Sequence, residues 1–150
     1  MNVTIPAEYG YVLITALAST FVNQWHGLKV GQARTKAGVP YPNTYATHEE
    51  STLGNDKYAF NCAQRTHMNF IENLPQFYVS LLISGLMFPK FAAVAGANWL
   101  FGRVLYHIGY VNRTKPNGKG RFLGAPFIYS SQLGLWGTAG YVCYKMVTGA

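Results

Sequence analysis

The chain has 150 residues, 49% hydrophobic and only 11% charged, whereas soluble domains carry roughly 25% charged residues. This composition excludes a disordered chain and leans toward a membrane protein, although the mean hydropathy of +0.05 does not decide the matter alone. The net charge of +7 suits an anionic membrane surface or a small anionic ligand. It argues against nucleic acid, because only Arg113, Lys115, Lys119 and Arg121 cluster, and Gly, Pro and Asn separate them.

Four apolar stretches follow in order, each near the roughly 20 residues that a helix needs to cross a bilayer. The first runs from Tyr9 to about Val30 and lacks both a basic leader and a cleavage site, so it reads as a retained first span. A polar, turn-rich connection, "GQARTKAGVPYPNTYATHEESTLGNDK", follows it. The second, about Ala59 to Met87, contains Pro75, which should kink it. A very short link at Pro89 leads to the third, Phe91 to about Val111. The fourth, about Phe122 to Val147, carries Gly124, Ser131, Gly134, Gly137 and Gly140 at spacings of three or nearly so. Small residues so spaced let membrane helices approach closely. None of the four is an unbroken apolar run, since Gln24, His26, Arg65, Glu72, Arg103 and Lys145 interrupt. Helix is favoured over strand because the stretches are long and do not alternate. The expectation is an all-α, integral membrane four-helix bundle forming a single domain over 1–150, with helices at about 8–36, 59–87, 90–113 and 121–147.

Orientation follows from the basic residues. The first and third connections hold Arg34, Lys36, Lys57, Arg113, Lys115, Lys119 and Arg121, and the other side holds Lys90 and Lys145. The two long connections should therefore face the cytoplasm and both termini the lumen. On that topology the "NRT" sequon at Asn112 is cytoplasmic and stays unglycosylated, and the "NVT" at Asn2 lies on the luminal side, close to the membrane. Cys62 and Cys143 form no CxxC and no disulfide framework, and read as small buried hydrophobes. The four histidines are scattered, so no metal site is expected.

The polar residues fall on faces. Arg65, Asn69 and Glu72 sit at i, i+4 and i+7 of the second helix. Arg103, Tyr106, His107 and Tyr110 sit at i, i+3, i+4 and i+7 of the third. Arg34 ends the first helix and Arg121 opens the fourth, so four arginines gather near the cytoplasmic ends. Arginine suits bidentate recognition of carboxylates. One reading is a site for a small zwitterionic or polyanionic molecule. The other is a structural network in which Arg65 and Glu72 pair with each other or with Arg103. His67 lies off this face and reads as a structural hydrogen bonder.

"FNCAQRTHMNFIENLPQF" together with "FGRVLYHIGYVNR" resembles the family of membrane-associated proteins in eicosanoid and glutathione metabolism. "EYGYVL", "KVGQARTKAGVPYP" and "GRVLYHIGY" are similar to its type-3 microsomal glutathione transferase branch. The resemblance covers nearly the whole chain. It implies a left-handed four-helix membrane bundle, a homotrimer, with glutathione as co-substrate bound near the cytoplasmic side between subunits. Arg34, Arg65, Asn69, Glu72, Arg103, Tyr106 and Tyr110 match the family's binding positions, and His67 is carried with them. Arg121, across a longer loop, matches the arginine that activates the thiol in the leukotriene C4 synthase branch. The implied activity is glutathione transfer to a lipophilic electrophile, or reduction of a lipid hydroperoxide, with leukotriene C4 synthase-like chemistry as a related outcome. Asn73, His67 and Thr35 stand where that synthase has a tyrosine, a glutamine and a second arginine, which weighs against leukotriene C4 itself. The implied membrane is the endoplasmic reticulum, with the nuclear envelope or outer mitochondrial membrane as alternatives. The rival function is a non-catalytic lipid-binding scaffold like the 5-lipoxygenase-activating protein.

Overall fold

The computed structural model describes residues 5–149, so the Asn2 sequon lies outside the described residues. Regular structure among them is entirely helical: α1 (Tyr9–Ala37), α2 (Asp56–Gly85), α3 (Pro89–Tyr110), a 3-10 segment (Pro116–Leu123) and α4 (Ala125–Thr148). Local chemistry sets these limits. Gly38, at φ 63°, ends α1 by turning its N–H back to the carbonyls of Arg34 and Thr35. The Asn55 side chain accepts the Tyr58 N–H at 2.7 Å and starts α2 three residues before the apolar run. Pro89 opens α3 at a position where its missing N–H costs nothing.

α2 continues through Pro75 as one helix. One expectation changes here. The fourth α-helix does not begin at Arg121, which sits instead in the 3-10 segment. That segment is broken by the left-handed Asn117 and Gly118 (φ 54° and 61°), and α4 starts only at Ala125. A left-handed pair cannot propagate an α-helix, and short 3-10 pieces commonly bridge such breaks.

Side-chain pairs fix the topology. Ser19 meets Tyr78 and Asn23 meets His67, so α1 and α2 run antiparallel. Thr66 meets His107 and Phe77 stacks on Trp99, which makes α2 and α3 antiparallel as well. Asn98 donates to Ser131 across α3 and α4. Gln132 donates to Ser80 and Ser84 donates to the Leu135 carbonyl, so α4 runs parallel to α2. Both long connections therefore lie at one end of the bundle. The main core is built on Trp99, 4.1 Å from Phe77 between ring centres, with Phe70, Leu81 and Leu135 around it. At the loop end Val30, Ala37, Phe60 and Ala63 form a second cluster that takes in Val39 and Ala46 of the first connection. Asn61 clamps Ala46 at both its N–H and its carbonyl (2.8 and 3.0 Å).

Among the described residues no helix is long and apolar enough to cross a membrane. The shortest α-helix has 22 residues, and at about 1.5 Å per residue it already rises about 33 Å. Apolarity, not length, therefore falls short of the spans expected from sequence. The polar residues responsible are unevenly placed. Ser19, His26, Thr66, Ser84, Arg103 and Gln132 are buried between helices, whereas Ile14, Phe21, Val79, Val94, Leu133 and Tyr144 are exposed.

Candidate functional site

The faces of α2 and α3 meet as a polar strip near the loop end. On α2, Arg65 and Glu72 form a two-point ion pair, Nη1 to Oε1 at 2.9 Å and Nη2 to Oε2 at 3.3 Å. Nearly half of each side chain is exposed (46% and 47%). Between them Asn69 accepts from Arg103 Nη1 at 2.7 Å. Arg103 is 3% exposed, lies over the Trp99 ring at 4.4 Å and keeps a buried Nε without an acceptor among the described residues. A buried, unpaired guanidinium N–H is costly, so it marks a place where an acceptor belongs. Tyr106 and Tyr110 stand along the strip with ring centres 5.6 Å apart.

Two cavities open on this strip. One of about 360 Å³ is lined by Arg65, Tyr110, Tyr58, Asn61 and Cys62, with Tyr45 of the first connection. Another of about 80 Å³ is lined by Asn69, Arg103 and Tyr106, with Asn73 and Tyr129. Sequence reasoning missed Tyr58, Asn61, Asn73 and Tyr129 as wall residues. Tyr58 also donates to the Lys115 carbonyl and accepts the Gly118 N–H, tying the third connection to α2. Only its aromatic, hydrogen-bonding character one turn into α2 hinted at this.

The remaining candidates stand apart from the strip. Arg34 is buried between the Tyr41 and Phe60 rings (4.3 and 4.7 Å), and its Nη1 donates to the carbonyls of Val39 and Asn43. His67 faces α1 and contacts Asn23 at 3.0 Å. His107 was expected on the Arg103 face, but it turns the other way. It is 4% exposed, contacts Thr66 at 2.7 Å and packs on Trp25 and His26. The α3 helix is wedged between α1 and α4, so a separation of four residues is enough to send these two side chains to different neighbours. Arg121 is half-buried, and its Nη1 donates to the carbonyls of Asn117 and Gly118 at 3.0 and 3.1 Å. Cys62 is buried, and no cluster of metal-ligating groups occurs among the described residues.

Chemically, the strip offers paired donors at Arg65, a carboxylate at Glu72, an amide at Asn69 and a desolvated guanidinium at Arg103. A molecule carrying both carboxylates and an amine matches that sequence of charges. A model of the MAPEG family matches residues 12–141. An uncharacterised protein of Synechocystis sp. is 36% identical over 114 residues, 75% of this chain and 75% of that protein.

Proposed function

Since the chain belongs to the MAPEG family, whose members are generally membrane-associated and use glutathione, we propose that it is a membrane-embedded glutathione transferase and glutathione-dependent peroxidase. The observation that carries this reading is the Arg103 guanidinium. It is buried against Trp99 with one nitrogen on Asn69 and Nε left over, next to an exposed Arg65–Glu72 pair. An exposed pair of this kind contributes about 0–1 kcal/mol to stability, so a ligand can take it over at small cost.

In this reading Arg65 holds a carboxylate, Glu72 the amine, and Asn69 and Arg103 the peptide, with Tyr106 and Tyr110 closing the wall. Arg34 contributes by holding the first connection in shape. Glutathione supplies a thiol whose thiolate attacks an electrophilic carbon, opening its strained ring or displacing its leaving group. Alternatively it attacks the outer oxygen of a lipid hydroperoxide, breaking the O–O bond to give the alcohol and glutathione sulfenic acid, which a second glutathione converts to the disulfide and water. A free thiol near pKa 8.5 is mostly protonated at neutral pH, and a guanidinium beside it favours the thiolate. Arg121, with Nη2 and Nε not bound to the 3-10 carbonyls, is the residue we assign to that task. The apolar tail of the lipophilic acceptor is assigned to the cavity of about 340 Å³ between α2 and α4, lined by Pro75, Val79, Trp136 and Ala139, with its reactive end reaching back along α4 toward Arg121. The exposed apolar side chains on the helices support embedding in lipid, and the basic connections are assigned to the cytoplasmic side; the homotrimer of left-handed bundles is taken from the family resemblance.

A second reading, a lipid-binding scaffold without catalysis, is favoured by one observation: Arg121 already caps the 3-10 segment. Rapid mixing with glutathione separates the two readings through the near-ultraviolet absorbance of the thiolate. Absorbance in the wild type that disappears in Arg121→Ala is expected for the enzyme. No absorbance, with thermal stability still raised by glutathione, would leave the scaffold.

A further inference from the structure

A cavity on the other side of α2 has no part in the polar strip. It measures about 250 Å³ and lies at the loop end, where α1, α2 and α3 converge. Lys29, Gln32 and Lys36 line it from α1, Asp56 and Ala63 from α2, and His107 from α3. Arg113 stands at its edge but is paired with Asp56. Lys29 and Lys36 are therefore the uncompensated charges of this wall. They are seven residues apart, which places them on one face of α1 with Gln32 between.

His107 sharpens the chemistry. Thr66 has one hydroxyl proton, which we assign to the Ala63 carbonyl at 2.8 Å because that oxygen can only accept. Its oxygen can then only accept from His107 Nδ1, 2.7 Å away. In the uncharged ring the proton sits on Nδ1, and Nε2 is left as an acceptor. Nε2 has no hydrogen-bond partner among the described residues, and His107 is a wall residue of the cavity. The residues of the wall thus carry two ammonium groups for an anion, one imidazole acceptor for a hydroxyl and one side-chain amide that serves either.

We propose that this cavity binds a phosphate group with a neighbouring hydroxyl, the chemistry shared by a phosphatidylglycerol headgroup and by free glycerol phosphate. Lys29 and Lys36 hold the phosphate oxygens, and His107 Nε2 and Gln32 take the hydroxyl. The site is separate from the strip, because Asp56, Ala63 and Thr66 lie on a face of α2 turned away from Arg65, Asn69 and Glu72.

The test uses the full chain in detergent and in nanodiscs. Titration with sn-glycerol 3-phosphate is followed by phosphorus NMR and by thermal unfolding. Native mass spectrometry then asks which lipid stays bound after ejection from nanodiscs of phosphatidylcholine with or without phosphatidylglycerol. Retained phosphatidylglycerol without a response to glycerol phosphate assigns the site to lipid; a saturable response to glycerol phosphate assigns it to the soluble ester. In either case Lys29→Gln/Lys36→Gln should weaken binding at least tenfold, Arg65→Ala should leave it unchanged, and saturating glutathione should not compete. His107→Phe should cost discrimination between glycerol phosphate and inorganic phosphate. Binding that survives the double lysine variant, binding displaced by glutathione, or no binding of either probe to the wild type overturns the proposal. Should the double variant not fold, Lys36→Gln alone, at an exposed position in the last turns of α1, carries the same comparison.

Discussion

Arg65 and Glu72 face each other across two turns of α2 with nearly half of each side chain in contact with solvent. Such a pair adds little to stability, about 0–1 kcal/mol. Glu72→Gln is therefore expected to leave the melting temperature nearly unchanged while weakening glutathione binding in calorimetry by at least tenfold. A structural network predicts the opposite order: a clear loss of thermal stability and an unaltered affinity. Arg103 is the contrasting case, since it is buried. Arg103→Lys keeps the charge but removes Nε and the planar fork, and Asn69 loses its fitted donor. Hydrogen bonds to charged groups are worth about 1.5–3 kcal/mol, so an affinity loss on the order of ten- to a hundredfold is expected in the same titration. The residues of this strip were legible in the sequence because helical spacing of 3, 4 and 7 puts them on one face. The environment of Arg34 within the chain was not legible, since a helix-end side chain points wherever the following loop offers carbonyls, and here these belong to Val39 and Asn43.

The least forgiving element is the 3-10 segment. A Cβ at Gly120 would fall on the Gly109 backbone of α3, and one at Gly109 would fall on the Gly120 carbonyl. The 3-10 segment and α3 touch backbone to backbone, one residue before Arg121. Gly120→Ala should then cost about 1–3 kcal/mol, the usual range for overpacking, measured as a lower unfolding temperature. It should also reduce thiolate formation by displacing Arg121, whereas Gly137→Ala, which meets open space, should change neither. The lengths of the four α-helices could be read from apolar runs, but this segment could not. Its geometry depends on left-handed Asn117 and Gly118 and on the distant hydroxyl of Tyr58, which leave no periodic signature. The divergence of His107 from Arg103 was hidden for a related reason: spacing gives the face of a helix, and the neighbours decide how that face is divided.

Across the bundle, polar groups are buried between helices and large apolar side chains lie outside, while among the described residues no helix reaches the apolarity of a membrane span. In lipid, close packing and interhelical hydrogen bonds hold such helices together, as in Ser84 to Leu135 and Asn98 to Ser131. We expect the protein to fractionate with membranes resistant to carbonate extraction, and native mass spectrometry from nanodiscs to give three times the 16.6 kDa chain mass. Release by carbonate would overturn the embedding. The orientation has its own check. Asn112 is exposed in a turn closed by Thr114, and it should remain without glycan when the chain is translated into microsomes. Glycosylation there would invert the assigned topology.

The placement of Trp99 has an optical consequence. Its indole is stacked on Phe77 and lies 4.4 Å from the Arg103 guanidinium. A ligand that engages Arg103 must alter the field on that ring, so the chain carries its own fluorophore at the site. With Trp25 and Trp136 replaced by phenylalanine, the emission maximum of the remaining tryptophan should move as the strip fills, and occupancy can be followed in real time without a label.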